Sequence, residues 1–235
     1  TDVQTTSVAT YQLNNATTSI PSNTYPGTGF NGTYATGKFG NSAVFNGSSD
    51  KIDLPNFMPS GSASRSISMW IKTTTTAYSS LLRYGVGSTN NYFLFRLMTG
   101  NKLGVAFWAN DYDVDVSSTG LFNGSWHQVA MTYDGTTVRL YVDGSEQGSG
   151  YNAGSTNTTA SAARIGYQAN PDGSSGGSFF NGSMDQIRIF DSALTSTQMK
   201  ALYNETTTTA TYPYITSEVA NPNSVAYYKM SDATD

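Results

Sequence analysis

The chain has 235 residues, a net charge of −4 and no cysteine. Its length suits one large β domain, or a domain with extensions. The absence of a basic stripe argues against nucleic acid as a partner, no apolar run approaches the roughly 18 residues of a membrane span, and disulfides and thiolate metal sites are excluded. No basic-then-apolar leader opens the sequence, so any export signal is expected to be missing from it or already removed.

Glu occurs only at positions 146, 205 and 218, which removes a favoured helix former, while Thr, Ser, Asn, Gly and 16 Tyr lean towards strands and turns. Residues 7–17 read SVATYQLNNAT, and Ala9, Tyr11 and Leu13 alternate onto one face. Residues 224–234 read SVAYYKMSDAT and repeat that pattern with Ala226, Tyr228 and Met230, so the chain closes on a second copy of its first strand. Between the copies, Ala43-Val44-Phe45 precedes an Asn46-Gly47 turn, Ile67, Met69 and Ile71 alternate, and so do Phe93, Phe95 and Leu97, then Leu103, Val105 and Phe107. A hairpin follows. Val129, Met131 and Tyr133 line one face of its first strand, Val138, Leu140 and Val142 one face of its second, and Asp134-Gly135 turns between them. Arg164-Ile165-Gly166 and residues 184–190 complete the strands. Thr195-Ser196-Thr197-Gln198 is a capping-box pattern, after which Met199, Leu202 and Tyr203 share one side with Leu194. Residues 206–223 are Thr-rich without periodicity and read as a linker. The expected organisation is a sandwich over 1–205, a linker over 206–223 and the duplicate strand over 224–235, which would either open a further repeat or pair with a neighbouring subunit.

Four motifs in order carry a family resemblance: GKFGNSAVFNGSSDKI at 37–52, SISMWIK at 66–72, WHQVAMTYDG at 126–135, and FNGSMDQIRIFDSALTSTQMKALYN at 180–204. With them the chain resembles the laminin G-like, concanavalin A-like jelly-roll domains. The resemblance implies an all-β fold of two antiparallel sheets, one of them concave, with one short C-terminal helix. It implies an extracellular, cell-surface or virion-surface setting, binding of carbohydrate or surface protein, and in some members calcium.

The candidate site residues follow. Asp185 has the strand parity of Ile187 and Ile189, the expected core face, where an ionised carboxylate needs a cation or several donors. Related sandwiches hold Ca²⁺ at a matching position, which would recruit Gly47 and Asn14 or Asn15 here. The alternative is that backbone and hydroxyl donors satisfy Asp185. Asp111, Asp113 and Asp115 alternate onto one strand side and form a second calcium candidate or a solvated acidic rim. Trp70, Arg96 and Trp108 lie opposite the apolar parity of their strands; flat rings and a guanidinium fork suit sugar recognition on the concave face, although packing beneath a loop gives the same pattern. His127 belongs to the hairpin motif and reads as structural. The Asn-Gly pairs inside the N-x-S/T sequons at 31, 46, 123 and 181 are explained by turn chemistry.

Related sandwiches include glycoside hydrolases, which need two carboxylates about 5–10 Å apart. No strand here carries a Glu pair, so catalysis is not expected. The sequence is read as a non-enzymatic binding module. A carbohydrate-active sandwich enzyme or its accessory domain, and a purely architectural shell or filament subunit, are the alternatives.

Overall fold

The computed structural model describes residues 7–17, 19–20, 25–169 and 177–205. The expected linker at 206–223 and duplicate strand at 224–235 lie outside the described residues. In chain order the elements are β1 (Ser7–Tyr11), β2 (Ser19–Ile20), β3 (Thr33–Thr36), β4 (Asn41–Asn46), β5 (Ile52–Leu54), β6 (Arg65–Lys72), β7 (Ser79–Gly85), β8 (Tyr92–Met98), β9 (Lys102–Ala106), β10 (Asp111–Asp115), β11 (Trp126–Tyr133), β12 (Thr137–Val142), β13 (Ser145–Asn152), β14 (Ala163–Ile165), β15 (Tyr167–Ala169), β16 (Gly177–Phe179), β17 (Asn181–Phe190) and α1 (Ser196–Tyr203). They build an all-β antiparallel jelly-roll sandwich with one short helix.

One sheet runs β13-β12-β11-β6-β17-β1-β2, with β4 also paired to β17 and β3 to β4. The other runs β10-β9-β8-β7-β14-β5, and β15–β16 form a small separate hairpin. Alternation decides what lies between the sheets. Ile67, Met69 and Ile71 of β6, Val129, Met131 and Tyr133 of β11, and Ile187 and Ile189 of β17 meet Leu82, Tyr84, Phe93, Phe95, Leu97, Leu103, Val105 and Phe107 from the opposite sheet, all buried. Arg65 is fully buried at one end of this core with no ion pair among the described residues. Its charge is met by the carbonyls of Ala63, Pro59 and Gly61 and by the Tyr84 hydroxyl, and burial pushes that phenol up to about 12.

The long strand β17 changes partners midway. Its first residues pair with β4 and its last with β1, while β6 runs along the other side. A bulge between Asp185 and Arg188 falls at that change, and Gln186 takes φ 49° there. The extra residue reverses the parity expected for Asp185. Asp185 stands opposite Trp70, on the outer face, while Ile187 and Ile189 remain in the core.

That outer face is covered. Thr195 caps α1, its side chain accepting from the Gln198 backbone N–H while the Gln198 side chain accepts from the Thr195 N–H, as the sequence pattern predicts. Met199, Leu202 and Leu194 then pack on Ala130, Tyr141 and Phe190. Arg188 and Glu205 form an ion pair at 2.6 Å that ties the end of α1 to β17. Trp70 lies beneath this cover at 3 % exposure. Tyr203 stacks on it with ring centroids 5.6 Å apart, Phe39 meets it edge-on at 6.0 Å, and the Lys38 ammonium sits 4.2 Å above it. Replacing Trp70 by Ala removes a fully enclosed ring and is expected to lower stability by about 3 kcal/mol, read as a fall in the urea midpoint at unchanged slope.

Candidate functional site

The outer face of the six-stranded sheet presents a cleft. Cross-strand register sets its rows. Asp113, Gly104, Arg96 and Ser80 stand side by side, and so do Asp111, Ala106, Leu94, Arg83, Arg164 and Asp53. Tyr92, Leu94 and Ala106 form a small apolar floor on which Tyr78 and Trp108 pack. Trp108 meets Tyr92 edge-on at 5.7 Å. Trp108 and Ala109 both have positive φ, 61° and 74°, in the turn that leads from β9 to β10. These groups, with Arg96, Asp111 and Gln168, enclose a cavity of about 340 Å³, within the size range of small-molecule sites. The Tyr78 hydroxyl donates to Gln168 Oε1 at 2.9 Å and closes one side.

Arg96 is fixed by two carboxylates. Its Nε and Nη2 donate to Asp113 at 3.1 and 2.8 Å, and Nη2 donates to Asp111 at 3.1 Å. Burial works against the guanidinium charge, but the bonds and charges of Asp113 and Asp111 outweigh it and raise its pKa. Glycine is required between the partners, because a Cβ at Gly104 would overlap the Asp113 carboxylate. The aspartate alternation therefore has its counter-charge in Arg96. Asp115, two residues further on, accepts from the Ser117 N–H instead and takes no part.

The structure thus brings Arg96 and Trp108 together and separates Trp70 from them, placing it on the other sheet beneath α1. The first calcium set is not assembled either. Asp185 is fully buried; its Oδ2 accepts from the Phe39 N–H at 2.9 Å, and its Oδ1 is without a partner. Asn14 lies against the same 37–41 turn, but its Oδ1 is taken by the Asn41 N–H at 2.7 Å. Asn15 is exposed, with φ 59°. Gly47 follows the far end of β4 beside Asn181, four residues along β17 from Asp185. The Phe39 amide serves one oxygen of this carboxylate and the Asn41 carbonyl lies against the same Gly37 position, and no group of three or more His, Asp or Glu side chains that could hold a metal occurs among the described residues. His127 is held by Asp143 at 2.7 Å and Asn123 at 3.3 Å within its own hairpin region. Tyr78, Tyr92 and Gln168 went unrecognised as site residues in the sequence; Tyr92 carried a signal, since it shares the parity of Arg96 on β8.

With this geometry in hand, the chain is recognisable as a jelly-roll sandwich with a ligand-sized cleft on one sheet. A laminin G family model described as the concanavalin A-like lectin/glucanases superfamily matches residues 46–200, and the chain belongs to that family. Among solved structures it is similar to domain 4 of AbnA, an extracellular arabinanase from Geobacillus stearothermophilus solved with arabinotriose. Identity is 27 %, with 84 % of this chain and 98 % of that one covered and a TM-score of 0.67. The binding domain of Paraclostridial Mosquitocidal Protein 1 (12 % identity, TM-score 0.65, 86 % of this chain and 52 % of that one) and the receptor-binding domain of botulinum neurotoxin D (13 %, 0.61, 86 % and 53 %) share the fold. The chain spans about half the length of these two toxin domains. No curated protein sequence matches it. No helix among the described residues is long and apolar enough to cross a membrane.

Two predictions follow from these charges. Gly104→Ala displaces the Asp113 carboxylate from Arg96 in a half-buried pair and is expected to cost about 1–2 kcal/mol in urea denaturation, whereas Gly100→Ala, where a Cβ meets open space, is expected to cost less despite its positive φ. Burial pushes Asp185 from 3.8 up to about 6. Its folded pKa exceeds its unfolded one, so this carboxyl lowers stability as pH rises from about 4 to 6, by up to about 3 kcal/mol. Asp185→Asn is therefore expected to gain in melting temperature relative to wild type at pH 8, and to lose that gain at pH 4.

Proposed function

We propose that this chain is a non-enzymatic glycan-binding module of an extracellular protein and that the sugar lies in the cleft between Trp108, Tyr78, Tyr92 and Arg96. The observation that carries this reading is the cleft itself: aromatic rings beside a rigid, hydrogen-bonded guanidinium, on the sheet face that α1 leaves open. Sugars present apolar C–H faces and rims of hydroxyls, which stack on rings and bond to charged, fixed groups. The arabinotriose complex of the related arabinanase domain supports the ligand class.

The carboxylates of the cleft support binding over hydrolysis. An acid and a base or nucleophile must be free to exchange protons or attack, whereas both oxygens of Asp113 and one of Asp111 are engaged by Arg96. Adhesion from a cell surface or virion fibre is one setting for such a module, with modest affinity multiplied by repetition. A second is an accessory domain that anchors a carbohydrate-active enzyme to polysaccharide, favoured by the likeness to one domain of an arabinanase.

Glycan-array screening followed by calorimetry tests the proposal. The expected result is saturable binding to at least one oligosaccharide, weakened about tenfold or more, roughly 1.4 kcal/mol, by Trp108→Ala at unchanged melting temperature. An array without a hit, or Trp108→Ala binding like wild type, contradicts it.

A further inference from the structure

Beside the cleft, the outer face carries a cation with no ion pair among the described residues. Arg83 of β7 stands directly opposite Arg164 of β14, and like charges at such positions repel. Arg164 is held by Asp53 at 2.9 Å, and Lys51 leans on the same carboxylate. Two cations thus engage the one Asp53 carboxylate, while the acidic pair beyond Leu94 is engaged by Arg96. Arg83 makes no ion pair among the described residues. Its Nη1 donates to the Gly85 carbonyl at 3.3 Å, and its Nε is buried without a partner.

The neighbouring groups point the same way. The Arg83 guanidinium lies 5.9 Å from the ring of Tyr92, which forms part of the cleft floor. The Tyr92 hydroxyl is also buried without a partner. Burial lowers the Arg83 pKa and Tyr92, Tyr167 and Asp53 only partly offset it, as expected for a desolvated cation short of counter-charge. Buried polar groups are nearly always satisfied, and a guanidinium Nε and a phenol buried without hydrogen-bond partners near one another call for an acceptor. An Nε–Nη2 guanidinium edge matches the spacing of the two oxygens of a carboxylate, and Nε is the Arg83 atom left without a partner.

We propose that Arg83 and Tyr92 form a carboxylate subsite adjoining the cleft, so that the glycan recognised is an acid-bearing sugar such as a uronate. This rests on the glycan-binding reading above and narrows it. The carboxylate takes the guanidinium edge and the phenol, and the rest of the sugar ring reaches the floor formed by Leu94, Ala106 and Trp108.

The test is calorimetry on the whole chain with matched pairs that differ in charge: trigalacturonate against its methyl ester, and sialyllactose against lactose, with inorganic phosphate as a free anion. The expected result is that the acid of at least one pair binds tenfold or more tighter than its neutral partner at low salt. That preference should vanish in Arg83→Met, survive in part in Arg83→Lys, and shrink at high salt. Arg83→Met should melt no lower than wild type, because it removes a desolvated charge while keeping the stem. Equal binding of acid and neutral partners, or a preference unchanged in Arg83→Met, overturns the carboxylate subsite and leaves the glycan reading standing. Failure of every sugar to bind overturns both, and phosphate binding without any sugar reduces Arg83 to a general anion site and overturns the proposal.

Discussion

The pleat of a β-strand gives every residue one of two faces, and a sandwich uses only one face of each sheet for its core. What becomes of the two remaining faces governs the rest of this protein. On the nine-stranded sheet the remaining face bears Ala130, Tyr141, Phe190 and Trp70, which are too apolar to stay in water, and α1 with the 37–41 turn closes over them. On the six-stranded sheet it bears Arg96, Asp113, Arg83 and Arg164, which pack no helix, and a small aromatic floor among them is left as the cleft. The proposed recognition surface lies where the covering helix has no apolar footing.

Electrostatics then shapes that surface. A guanidinium on a half-buried sheet is unfavourable unless it finds acceptors in fixed positions. Arg96 finds them because Gly104, lacking a side chain, lets Asp113 reach across β9. Arg83 sits one row away and has no carboxylate partner among the described residues. The two arginines are near neighbours in different settings, one fixed by two carboxylates and one proposed as a recognition group.

Much of this was legible from residue order. The alternation at 67–71, 93–97 and 103–107, the 126–142 hairpin and the Thr195–Gln198 cap all encode local geometry, and they also placed Trp70, Arg96 and Trp108 away from the core. Two things were not legible. Which sheet β6 joins depends on distant pairing, Trp70 standing opposite Gln128 and Asp185, so Trp70 on β6 could not be separated from Arg96 on β8. Parity also holds only while pairing is regular, and the bulge at Gln186 moved Asp185 to the opposite face from the one its spacing to Ile187 implied. Strands β7 and β13 were missed for related reasons. Leu81-Leu82 breaks alternation at a bulge, and β13 is rich in Ser, Gly and Gln on an exposed edge.

The central claim is that ligands engage the open face of the six-stranded sheet. The three tryptophans report on it separately, since Trp108 lies at the cleft, Trp70 under α1 and Trp126 at the start of β11. Titrating an ¹⁵N-labelled sample with an oligosaccharide found by array screening, and following the three indole N–H signals, is the direct measurement. The Trp108 signal is expected to shift saturably while those of Trp70 and Trp126 stay in place; a shift of Trp70 or Trp126 with Trp108 unmoved would place the ligand elsewhere.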